Sequence, residues 1–325
     1  VSLFADHATI LVAALLIDAL LGDPEWLWGR VPHPVVLFGQ LIAALDRALN
    51  HDRDPDTHRQ AAGVLALAIV IAVAAAIGIG LEILFRALPF GWIGKLLVVA
   101  VMLAGGSLFD HVRAVQRALL AGSITGARRA VGRIVGRDTS GLDEAGISRA
   151  AIESCAESFS DGVIAPALWF ALLGLPGILV YKAINTADSM IGHRTPRHAA
   201  FGWAAARTDD AFNWPAARLS AVLIALAARA GHGSTQAAFA SIRRDARRHE
   251  SPNAGWPEAA IAGALGLALL GPRVYGGEVV TAPFLNPEGR KEAVAADIGR
   301  ALMVCGTAGV IFALALVLIA HLLPG

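Results

Sequence analysis

The chain has 325 residues, 56% of them hydrophobic and only 16% charged, with a formal net charge of +1 and a mean hydropathy of +0.59. That balance is too apolar for an ordinary soluble domain and lacks the basic excess or Lys-rich tail that nucleic acid selects, so it points to an integral membrane protein. Two cysteines, Cys155 and Cys305, provide no disulfide framework.

A span needs roughly 20 apolar residues to cross a hydrocarbon core of about 30 Å. Residues 3–21, 61–81 and 301–323 meet that length. Asp6 and His7 stand where a signal peptide would carry basic residues, and Asp18 interrupts the run, so the first helix is expected to belong to the mature fold. Behind it, GDPEWLWGRVPHPVVLFG holds Asp23 and His33, with Trp26 and Trp28 suited to a membrane-interface belt. Apolar runs at 96–109, 162–181, 216–230 and 259–270 are shorter or interrupted, and are expected as buried or re-entrant helices, which lipid tolerates only where protein covers them. The expected architecture is all-α and polytopic, a single membrane-embedded domain over residues 1–325 with about five to seven embedded helices.

Arginines cluster in two segments. Residues 111–150 carry Arg113, Arg117, Arg128, Arg129, Arg133, Arg137 and Arg149, and residues 231–258 carry Arg243, Arg244, Arg247 and Arg248. The positive-inside rule assigns both to the cytoplasm. A simple span over 162–181 would then separate the polar motifs on its two sides. Val163 to Leu173 makes only about 16 Å of helix, half a bilayer. Gly174, Pro176 and Gly177 follow, so the pattern predicts a helical hairpin around 162–192 that returns both motifs to one face.

Those motifs hold most of the chain's chemistry. Glu153, Glu157 and Asp161 recur at i, i+4 and i+8, which predicts one acidic helix face. Like charges at that spacing repel, and a hard divalent cation such as Mg²⁺ relieves the repulsion, with one or two carboxylates plus substrate phosphates. After the hairpin, Lys182, Asn185, Asp188 and Ser189 share a face and Gly192, His193 and Arg194 follow. Only three lysines occur among 27 basic residues, which singles out Lys182 as a point charge for phosphate. FGWAAARTDD adds Arg207, Asp209 and Asp210. SPNAGWPEAAIAGALG adds Asn253, Trp256 and Glu258 ahead of a small-residue helix suited to close packing. The Gly-rich GPRVYGGEV matches no phosphate-binding signature, and no Walker A sequence occurs.

Taken in order, GDPEWLWGRVPHPV, ESCAESFSDGVIAP, YKAINTADSMIGH, FGWAAARTDD and SPNAGWPEAAIAGALG resemble the adenosylcobinamide-phosphate synthase family of cobalamin biosynthesis, over nearly the whole chain. The resemblance implies a multi-pass inner-membrane ligase with its active site facing the cytoplasm. It would join adenosylcobyric acid to aminopropanol or its O-phosphate, with ATP and Mg²⁺. Soluble proteins of the same pathway are candidate partners on that resemblance.

On that resemblance, Glu153, Glu157, Asp161 and Asp188 are expected to bind Mg²⁺ or accept the amine proton, with Glu157, Asp161 and Asp188 as the metal set. Lys182, Asn185, His193 and Arg194 are expected to meet phosphate, with Arg207, Asp209 and Asp210 completing the site. His33, Asn253 and Trp256 are expected to meet corrin or nucleotide. Two other classes stand beside it: a transporter, since acids and broken helices in membranes also mark transport pathways, and a non-catalytic scaffold for corrin enzymes.

Overall fold

A computed structural model describes residues 3–22, 28–136, 138–193, 195–275 and 278–322. Asp23, Trp26, Arg137 and Arg194, singled out above, lie outside the described residues, as does the centre of the GPRVYGGEV loop. Asp56–Ala87, Gly91–Leu120, Glu144–Ile191, Trp203–Gly231 and Ala295–Leu322 are each long and apolar enough to cross a membrane. The protein is therefore a helical, multi-pass membrane protein by length and composition. Sheet is confined, among the described residues, to two small antiparallel pairs, Leu269–Leu270 with Phe284–Leu285 and Arg273–Tyr275 with Glu278–Val280.

The chain divides into two compact units. The first contains α1 (Leu3–Leu21), α2 (Pro34–Leu49), α3 (Asp56–Ala87) and α4 (Gly91–Met102). Further along the chain, α8 (Ala165–Ile191) and the first part of α9 (Trp203–Ala227) also belong to it. The second contains α5 (Gly105–Leu120), α6 (Ile124–Val131), α7 (Glu144–Phe159) and the rest of α9. It also holds α10 (Thr235–Asp245), α11 (Gly255–Leu265), the strands and most of α12 (Ala295–Leu322).

The first unit is organised around the break in α8. Gly174 has φ 67° and ψ −149°, backbone open only to glycine, and it divides α8 into two helical arms. Pro176 falls in the first turn of the second arm, where a missing N–H costs nothing. The chain folds back at this point: a Cβ on Gly177 would collide with the Trp169 carbonyl, an approach that a continuous helix eight residues apart cannot make. The hairpin expected from the sequence is therefore present. Against α3, a Cβ on Gly78 would strike Pro176 and one on Gly63 would strike the Phe201 carbonyl. Gly63 to Gly78 is about 22 Å of helix. The hairpin tip thus stops about 13 Å short of the Ala87 end of α3.

The opposite end of this unit is tied by a polar knot. Asn50 Nδ2 donates to Asp46 Oδ1 (2.7 Å) and to the Arg197 carbonyl (3.1 Å), and Asn50 Oδ1 accepts from Arg59 Nε at 2.9 Å. Arg197 closes the knot on Asp46 Oδ2 at 2.9 Å. Burial works to raise the Asp46 pKa, but the hydrogen bonds from Asn50 and Arg197 and the Arg197 charge outweigh it and hold the carboxyl below the usual range.

In the second unit, Asp143 caps α7 through Gly146 N at 2.7 Å. Ser160–Ile164 then forms a π turn that carries Asp161. The 259–270 run is a buried helix, Gly255–Leu265, too short to span. Cys155 and Cys305 are both buried free thiols.

Candidate functional site

The second arm of α8 and the start of α9 bring one polar network together in the first unit. Tyr181 Oη donates to Asn213 Oδ1 at 2.8 Å, Asn213 Nδ2 donates to Asp209 Oδ2 at 2.8 Å, and Asn185 Nδ2 donates to Asp209 Oδ1 at 3.2 Å. Asp209 is only 9% exposed and Asn213 only 1%. Both Asp209 oxygens are therefore held by amides, which fixes the α8–α9 crossing. Asp188 lies one turn beyond Asn185, half-buried, and a Cβ on Gly192 would collide with its carboxylate. Glycine at 192 leaves that carboxylate its place. The charges of Asp188, Asp209 and Asp210 act on one another, and His193 acts on Asp188. Arg207 approaches Asp210 at 3.8 Å. Lys182 is half-buried on the Asn185–Asp188 side of the arm, and His193 is exposed. The structure thus gathers Asn185, Asp188, Asp209 and Asp210, with cationic side chains at the margin.

The acidic helix of the second unit departs from the expected single face. Glu153 is 5% exposed, and its Oε1 accepts from Leu270 N at 2.7 Å, securing a residue with φ 64° at the end of β1 (Leu269–Leu270). Glu157 is exposed, and Asp161 is half-buried in the π turn. Each four-residue step rotates about 40° around a helix, and the π turn shifts the phase again, so three acids at i, i+4 and i+8 need not point together. Glu153 is anchored in the fold, whereas Glu157 faces outward.

Asn253 and Trp256 meet around Arg218, an arginine inside the apolar 216–230 run. The Arg218 guanidinium lies 4.5 Å from the Trp214 ring centroid and 4.5 Å from that of Trp256. It donates to Asn253 Oδ1 at 2.7 Å, to the Trp214 carbonyl at 3.0 Å and to the Pro252 carbonyl at 3.0 Å. His33 caps α2, accepting from Val35 N at 3.2 Å through Nδ1, with Trp28 against its ring edge at 4.4 Å. Among the described residues, no group of three or more His, Cys, Asp or Glu side chains is arranged to hold a metal ion.

A family model described as CobD/Cbib protein matches residues 11–305. The chain belongs to the CobD/CbiB family.

Relatives agree. A cobalamin biosynthesis protein CobD of Sinorhizobium sp is 51% identical over 298 residues, 91% of this chain and 92% of its own length. One from Rhizobium meliloti (strain 1021) is 50% identical over 305 residues, covering 92% and 93% of the two chains. One from Rhodobacter capsulatus is 45% identical over 303 residues, covering 91% and 92%. No solved structure matches the chain.

For this CobD/CbiB family member, sequence reasoning missed Tyr181, Asn213 and Arg218. Asn213 stands four residues after Asp209, the spacing that puts two side chains on one helix face, so it was within reach. Arg218 has no such local signal, because its tryptophan and asparagine partners come together only through the fold.

Proposed function

We propose that the protein is an ATP-dependent ligase of cobalamin biosynthesis that forms an amide between a corrin carboxylate and aminopropanol or its O-phosphate. Membership of the CobD/CbiB family carries this reading, and the oxygen-rich, margin-cationic network of the first unit supports it. A carboxylate does not react with an amine at neutral pH until it has a leaving group. In the proposed reaction the ATP γ-phosphoryl passes to the carboxylate oxygen and ADP leaves. The amine nitrogen then attacks the acyl carbon, phosphate departs with the bonding pair, and the amine proton goes to a carboxylate. Such chemistry needs charge neutralisation and positioning more than a protein nucleophile.

Asp188 is the residue we assign to holding Mg²⁺ together with phosphate oxygens, with Asp210 beside it. The donor chemistry fits, since these are hard carboxylate oxygens and Mg²⁺ takes one or two of them with phosphates. Bound there, the ion would offset negative charge on the phosphates. Lys182, His193 and Arg207 supply positive charge for phosphate oxygens, and Asn185 positions Asp209. In the second unit, Glu157 and Asp161 keep the proposed roles of metal ligand and proton acceptor, and Glu153 is reassigned to the fold. The Trp214–Arg218–Trp256 stack and Asn253 are proposed to contact an aromatic or corrin surface. The active site is proposed to face the cytoplasm of a bacterial inner membrane, where ATP is supplied.

An isotope experiment tests the reaction type. Adenosylcobyric acid labelled with ¹⁸O in the free carboxylate should deliver one ¹⁸O to inorganic phosphate for each amide formed. The second carboxylate oxygen stays in the amide carbonyl, so amide formation with no ¹⁸O in inorganic phosphate, or with AMP and pyrophosphate released, contradicts the acyl-phosphate route.

A further inference from the structure

The first unit contains a second concentration of charge at the opposite end of the hairpin from the Asn185–Asp210 network. Gly174 to Asp188 is about 21 Å of helix. A cavity of about 490 Å³ lies between α1 and the junction of α3 with α4, lined by Asp6, Thr9, Glu82, Arg86, Trp92 and Lys95 among others. Glu82 Oε1 receives Lys95 Nζ at 2.6 Å and Arg86 at 3.3 Å. Lys95 is 9% exposed, and ionisable groups retained in membrane helices mark functional sites far more often than structural ones. Two further polar atoms meet beside Gly174, one of them on the cavity-lining Glu82. His7, 2% exposed, has a buried Nε2 without a hydrogen-bond partner, and so does Glu82 Oε2. A Cβ on Gly174 would lie 3.0 Å from that His7 nitrogen and 3.4 Å from that Glu82 oxygen, so the glycine keeps a polar notch open between them.

The charge balance specifies the occupant. Two cations share one carboxylate oxygen, which leaves one excess positive charge at the cavity, with the exposed Arg86 and the exposed Asp6 both at its mouth. The site therefore suits a group with an anion at one end and a hydrogen-bonding cation at the other. Trp92 lines it from the first turn of α4, and Leu88 and Phe90 precede it on the short α3–α4 connection; all three are exposed, the pattern of a membrane-interface belt. We propose that this cavity binds an aminoalkyl phosphate headgroup presented by a membrane lipid, with phosphate on Arg86 and Lys95 and the primary amine at Asp6. A soluble aminoalkyl phosphate has the same polar chemistry but gains nothing from the apolar border. This inference is independent of the ligase reading.

The test is native mass spectrometry of the delipidated full chain in detergent, titrated with dioleoyl phosphatidylethanolamine, phosphatidylcholine, phosphatidylglycerol or soluble phosphoethanolamine. Phosphatidylethanolamine should bind at a concentration about tenfold lower than the other three, the scale of one charge-assisted hydrogen bond. Arg86→Gln should weaken that binding by about tenfold. Asp6→Asn should erase the preference over phosphatidylcholine. Both residues reach the surface and leave the Glu82–Lys95 pair intact, so the variants should remain folded, as checked by their thermal midpoints. Equal occupancy by all three lipids, or no change in either folded variant, overturns the proposal. Soluble phosphoethanolamine binding as tightly as the lipid overturns the lipid source.

Discussion

Replacing Gly174 by alanine should destabilise the protein by about 2–6 kcal/mol. Backbone at φ 67°, ψ −149° is accessible to glycine alone, and forcing an L-residue there costs about 1–3 kcal/mol. The added Cβ would lie 3.0 Å from the His7 ring, which is 2% exposed and held to the Ala171 carbonyl at 3.3 Å. Overpacking of that kind adds about 1–3 kcal/mol. Gly80 provides an internal control: it lies within α3, and nothing stands within 4 Å of a Cβ placed there. Gly80→Ala should stabilise by about 0.5–1 kcal/mol through helix propensity alone. In a thermal scan followed by tryptophan fluorescence in detergent, at about 2 °C per kcal/mol for a chain this long, Gly174→Ala should fall by about 4–12 °C while Gly80→Ala rises slightly. A Gly174→Ala midpoint indistinguishable from wild type would refute the hairpin as drawn.

Asn213→Ala withdraws the acceptor of Tyr181 and a donor to Asp209, and should cost about 2–4 kcal/mol, against about 1 kcal/mol for Tyr181→Phe. The double variant should cost less than the sum, as a double-mutant cycle in chemical denaturation will report. The two acids of α7 should separate by assay: Glu153→Ala strands the Leu270 amide and loses about 1–3 kcal/mol of stability. Glu157→Ala should keep its midpoint, within about 0.5 kcal/mol, and lose turnover. Asp46, held below the ordinary carboxylate range, contributes stability that is complete above its unfolded pKa of about 3.9. That contribution disappears as the pH falls through the lower folded value. Asp46→Asn should therefore lower the midpoint at neutral pH and flatten its acid limb. An unchanged acid limb would place the effect elsewhere.

The hairpin was legible because its signals are local. Glycine, proline and an apolar arm of half-bilayer length sit within one stretch of sequence, and the backbone at Gly174 obeys them. The spans over 61–81 and 301–323 were legible for the same reason, whereas the shorter runs at 96–109 and 216–230 belong to longer helical segments, Gly91–Leu120 and Trp203–Gly231, that are long and apolar enough to cross a membrane. The grouping of Asn185, Asp188, Asp209 and Asp210 followed from short motifs on two consecutive helices, with residues 192–202 connecting them. Glu153 was misjudged because its partner, the Leu270 amide, is distant in sequence and a strand end gives no signal of needing a carboxylate. His33 also caps a helix, a role that its position just before Pro34 could have suggested. Arg218 was hidden by its apolar surroundings, where an arginine looks like a defect until Trp214 and Trp256 are seen on either side of it.

The most direct test of the ligase reading is a reconstituted reaction in detergent containing adenosylcobyric acid, aminopropanol phosphate, ATP and Mg²⁺, with the corrin followed by mass spectrometry. Wild-type protein should add one amide-linked aminopropanol phosphate to the corrin, with no product when ATP or Mg²⁺ is withheld. Asp188→Asn, with an unchanged thermal midpoint, should make none. A folded wild-type protein that leaves the corrin mass unchanged with both the free and the phosphorylated amine, or an Asp188→Asn variant that ligates at the wild-type rate, would contradict the account.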